Sequence, residues 1–162
     1  MAVAALVTWL VTALGGFWML GIWLSRGGMS QQRTGTTRFP APVILGHFLL
    51  AAAGLVLWIA FVVLHTKALA WTAFVVLLPV AVLGFVMLLR WLPGWQASRA
   101  VAVGAARHGG HGGYDGPAGA AGGPADAAAA AERHLPVPVI LGHGLFAVIT
   151  LVLVLLTAVR GH

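Results

Sequence analysis

Four apolar runs dominate this chain, at 3–24, 42–64, 70–89 and 138–159. A bilayer core of about 30 Å takes roughly 20 helical residues to cross, and each run is long enough. Backbone amides in lipid have no water to bond, so such runs must close their hydrogen bonds internally. The expected fold class is all-α and integral to a membrane, with four transmembrane helices. Composition points the same way: 60% of the 162 residues are apolar and 7% are charged, against about 25% charged in a soluble domain. Soluble metabolic enzymes and nucleic-acid binders are thereby excluded. The formal charge of +6 reads as membrane topology and attraction to anionic lipid. Pro79 is the one mid-run helix breaker and predicts a kink in the third span.

No Lys or Arg precedes the first run, and no small-residue cleavage site follows it, so it reads as a retained helix and not a signal peptide. Arg26, Arg33 and Arg38 lie between spans one and two, and Arg90, Arg99, Arg107 and Arg133 between three and four; the other side holds Lys67 and Arg160. This bias predicts a plasma- or inner-membrane protein with both termini outside and the connections 25–41 and 90–137 in the cytoplasm. Trp23, Trp91 and Trp95 at the cytoplasmic helix ends, and Trp71 at an outer one, read as ring anchors at headgroup level. The segment 97–131 is rich in Gly, Ala and Pro with hardly a large apolar residue, and reads as a mobile loop. Alanines near 127–132 are expected to extend the fourth helix by a turn or two. His108, His111 and His134 in this region read first as polar punctuation, with a soft divalent metal as the lesser alternative.

The sequence FPAPVILGHFLL recurs as LPVPVILGHGLF: Pro40, Pro42 and Val43 to His47 match Pro136, Pro138 and Val139 to His143. More faintly, GFWML from Gly16 matches GFVML from Gly84. The chain therefore reads as two tandem two-helix hairpins, 1–65 and 70–162, related by a pseudo-two-fold axis along the membrane normal. Spans two and four should run parallel as neighbours.

His47 and His143 are the ionisable residues placed well inside spans. Such groups are expensive in lipid and usually face the bundle interior. Each lies five residues past its second proline, roughly 7 to 8 Å along the helix, so both sit at one depth. An axis between two parallel helices turns two such imidazoles toward each other, the arrangement that axial coordination of one b-type haem requires. Gly46, Gly142, Gly144 and the alanines 51–53 would leave room for a flat macrocycle, and Arg38 and Arg133 precede the motifs where propionates would emerge. The alternatives are a structural or quinone-facing polar pair and, third, zinc or copper, for which two imidazoles leave coordination incomplete. His65 follows His47 by five helical turns, but its repeat counterpart is Gly161, with His162 one place on, so a second haem is the weaker expectation.

All three acids, Asp115, Asp126 and Glu132, lie in the 97–137 region, leaving no carboxylate in the spans for an ion-coupled pump. There is no cysteine, no phosphate-binding Gly loop and no Ser, His and acid set. A self-contained enzyme is not expected. With VILGH in duplicate, the paired membrane histidines are similar to those of b-type membrane cytochromes and of the anchor subunits of respiratory enzymes. That resemblance implies a non-catalytic electron-transfer subunit, with a quinone or another membrane subunit as partner. The alternative function is a scaffold or assembly subunit of a larger membrane complex, without a cofactor.

Overall fold

A computed structural model describes residues 1–33, 40–108 and 135–160. Arg38, Arg133, His111, His134 and His162, with most of the 97–131 segment, lie outside these residues. What is described is all-helical: α1 (Ala2–Ser25), a short α2 (Gly28–Arg33), α3 (Ala41–Leu64), α4 (Lys67–His108) and α5 (Val137–Arg160). Four of these are long and apolar enough to cross a membrane: α1, α3, α5 and the Lys67–Pro93 part of α4. Large apolar side chains such as Leu14, Trp18, Leu49, Val63, Val82, Phe85 and Leu145 stand exposed all round the bundle. A soluble protein rarely exposes contiguous apolar surface on that scale; a lipid bilayer is the environment it fits.

Local chemistry sets the helix ends. Pro40 is extended (φ −62°, ψ 127°) and its carbonyl accepts from Val43 N at 2.9 Å and Ile44 N at 3.3 Å. Pro136 accepts from Val139 N at 2.9 Å and Ile140 N at 3.2 Å. Pro42 and Pro138 then fall in the first turn, where a missing N–H costs nothing. The repeated Pro-x-Pro thus starts α3 and α5 in one register and fixes both histidines six residues after Ala41 and Val137. His65 ends α3 in the left-handed region (φ 55°), its N–H bonded to Phe61 O at 2.8 Å, so its backbone makes a tight turn into α4. The α4 helix runs on through Pro79 and Pro93 and reaches His108, taking in the first part of the expected loop. Alanine accounts for this, since it is the strongest helix former as well as a marker of low complexity.

The closest packing runs along α3 with α4 and along α1 with α5, with lesser contacts of α4 with α5 and α1 with α3. Each His-bearing helix is flanked by α1 and α4, so α3 and α5 face each other diagonally and not as close-packed neighbours. The core fills the end of the bundle that holds Ala2 and Leu64. Trp58, Val154 and Thr157 are fully buried there. Trp58 stacks near Trp9 (centroids 6.4 Å) and Phe61 (4.9 Å), and its indole N–H donates to Ala2 O at 3.2 Å. Gly54 admits Trp9, whose ring a Cβ would approach to 3.1 Å. On the α1/α5 side the contact is polar: Thr150 Oγ1 lies 3.0 Å from Thr8 Oγ1 and 2.8 Å from Phe146 O, and its single proton serves one of the two at a time.

At the opposite end Trp23 and Trp91 are also buried. Both were expected as ring anchors at headgroup level. Instead α1 breaks at Gly27 (φ 80°) and α2 folds over the Trp23 ring, leaving no space for a Cβ at Gly28; Trp95 stacks on Trp91 with centroids 5.7 Å apart.

Candidate functional site

Between these two buried layers the helices carry no fully buried side chain: none falls in 10–22 of α1, 41–53 of α3, 81–90 of α4 or 137–149 of α5. His47 and His143 sit in this stretch with ring centroids 6.3 Å apart and planes inclined at 53°. The two histidines, far apart in sequence, are brought together as expected.

Each imidazole is held by the helix beside it in the same way. His47 Nδ1 donates to Val80 O at 2.9 Å, and His143 Nδ1 donates to Thr12 O at 2.9 Å. Four residues beyond each acceptor stands a glycine. A Cβ on Gly84 would lie 3.2 Å from His47 Cε1 and 3.7 Å from its Nδ1; on Gly16 it would lie at the same 3.2 and 3.7 Å from those atoms of His143. The physical reason is helix geometry. A side chain covers the turn N-terminal to its own Cα, so a glycine at i+4 uncovers the carbonyl of residue i. That carbonyl already accepts one backbone N–H and has a second lone pair for the imidazole.

The Nδ1 bond also decides the proton's place. A carbonyl only accepts, so Nδ1 carries the hydrogen, and in the neutral ring Nε2 keeps its lone pair. Among the described residues no donor reaches either Nε2. An imidazole with Nδ1–H on a carbonyl keeps the Nε2 lone pair as its remaining acceptor. Among the described residues no group of three or more His, Cys, Asp or Glu could hold a metal ion.

The other expected site residues fall differently. The Cβ direction of Gly46 points to Leu83, at 3.8 Å, and that of Gly142 to open space; neither touches the rings. Arg38 and Arg133 lie outside the described residues. Gly16 and Gly84 were visible in sequence only as part of a faint repeat, GFWML and GFVML, with no role attached. A comparison with family models, with curated proteins and with solved structures finds no match in any of the three.

Proposed function

We propose that this is a multi-pass membrane protein in which His47 and His143 supply the two axial ligands of one b-type haem, making it a non-catalytic electron-transfer subunit. The observation that carries this reading is the pair itself: two neighbouring imidazoles, each with Nδ1 spent on a carbonyl and no described donor on Nε2. The ring centroids stand 6.3 Å apart, and a direct ring-to-ring hydrogen bond would need a closer approach, so the two imidazoles are not bonded to each other.

In this reading the chain's own residues orient and support. Val80 O and Thr12 O fix the tautomers, Gly84 and Gly16 set the ring positions, and the helices exclude water. Arg38 and Arg133 would pair with the propionates, and Gly46 and Gly142, next to the histidines in sequence but off the rings, would leave room for the edge of a macrocycle. The haem, when bound, supplies reversible one-electron chemistry. A quinone or a neighbouring membrane subunit is the proposed partner in that exchange. The basic connections give the proposed orientation, both termini outside.

One observation favours a second reading. The imidazoles already tie α3 to α4 and α5 to α1 through their carbonyl bonds, which would serve a cofactor-free scaffold equally well. An absorption spectrum of the detergent-purified protein from haem-replete cells separates the two. A Soret band that sharpens and shifts to the red with dithionite, with resolved alpha and beta bands, supports haem; a colourless preparation selects the scaffold.

A further inference from the structure

The extension of α4 past the apolar run carries a second feature, independent of the histidine pair. The apolar stretch ends at Pro93 and the helix continues to His108. Trp91, Trp95 and Arg99 follow at intervals of four and so share one helix face. Trp95 stacks on Trp91 with centroids 5.7 Å apart and planes 23° from parallel, and the Arg99 guanidinium lies over the Trp95 ring at 4.9 Å. Arg99 is exposed, and exposed Arg90 and Arg26 stand at the same end of the bundle. No Asp or Glu occurs among the described residues.

We propose that the Trp91–Trp95–Arg99 ledge binds the phosphate of an anionic phospholipid. Depth is the first reason. Arg99 lies six residues beyond Pro93, roughly 9 Å along the helix, and the headgroup layer is about 5 to 8 Å thick on each side. A side chain folded back over Trp95 returns its charge to that layer. Geometry is the second. A guanidinium held over the indole by cation–π attraction still has N–H donors for a phosphate oxygen. The half-buried Trp95 indole, seated on buried Trp91, supplies an amphipathic edge for the glycerol region, which free phosphate does not need. Charge is the third: the exposed Arg99 guanidinium attracts an anionic lipid more than a zwitterionic one.

The full chain in detergent is titrated with phosphatidylglycerol or phosphatidylcholine, and retained lipid is counted by native mass spectrometry. Phosphatidylglycerol is retained in preference, and excess inorganic phosphate does not displace it. Arg99→Gln weakens retention by about five-fold, the effect of one basic residue at an anionic surface. Trp95→Ala weakens it too while preserving every charge, and Lys67→Gln at the far end leaves it unchanged. Equal retention of the two lipids, displacement by inorganic phosphate, or an Arg99→Gln protein that retains phosphatidylglycerol like the parent overturns the proposal.

Discussion

Gly16→Ala places a methyl carbon 3.2 Å from His143 Cε1 and 3.7 Å from Nδ1. Carbon–carbon contacts are optimal at about 3.5 to 4.0 Å, so the ring must retreat by a few tenths of an ångström and strain its 2.9 Å bond to Thr12 O. A buried hydrogen bond contributes about 0.5 to 1.5 kcal/mol net, and overpacking adds about 1 kcal/mol or more. Helix propensity works in the other direction, favouring alanine by about 0.8 to 1 kcal/mol. Gly21→Ala isolates that term, because its added methyl meets nothing within 4 Å on the same helix. Gly16→Ala should therefore be less stable than Gly21→Ala by about 1 to 2 kcal/mol, measured by denaturant titration in detergent. Gly84→Ala should carry the same penalty, since its distances to His47 are identical. In a His143→Ala background the Gly16 substitution should lose its penalty, which is the coupling expected of groups in contact. A Gly16→Ala protein as stable as Gly21→Ala, or a penalty that survives removal of His143, would refute the seat.

Further outcomes follow from the same contacts. Thr150→Val should destabilise the bundle by about 0.6 kcal/mol, the average for a hydrogen bond between membrane helices, whereas Thr72→Val, whose hydroxyl returns to Ala68 O of its own helix, should change little in the same titration. His65→Ala should leave haem content untouched, because that residue caps α3 at the far end from the pair. Deleting about residues 108 to 126 should leave it untouched too, both checked by pyridine haemochrome assay of the purified variants. Reporter fusions at Asp115 and at His162 should place the first inside and the second outside; the reverse result contradicts the orientation drawn from the basic residues.

The helices and the histidine pair were legible in sequence for different reasons. Uninterrupted apolar runs leave the backbone one solution in lipid, so all four spans can be read without knowing any contact. His47 and His143 stood out because the Pro-x-Pro-Val-Ile-Leu-Gly-His repeat copies a register, and register sets depth. What holds the rings was not legible. Val80 and Thr12 act through carbonyls, which every residue has, and the glycine at i+4 matters only once the neighbouring helix is known. The diagonal placement of α3 and α5 likewise depends on which helix faces meet. The run of α4 to His108 was missed because alanine-rich sequence satisfies both a low-complexity and a helical reading. Trp23 and Trp91 were read as anchors because a tryptophan near a span end usually is one; the fold-back at Gly27 and the ring of Trp95 bury them.

Ligand equivalence tests the central claim most directly. His47→Ala and His143→Ala are purified from haem-replete cells beside the parent, and haem per chain is quantified with the low-spin spectrum of the ferric and ferrous forms. With each imidazole supplying one axial bond, the parent should hold one haem per chain, and each single variant should lose the bis-imidazole spectrum to a similar degree. Unchanged haem content and spectrum in both variants would contradict the account and leave the two imidazoles as ties between helices.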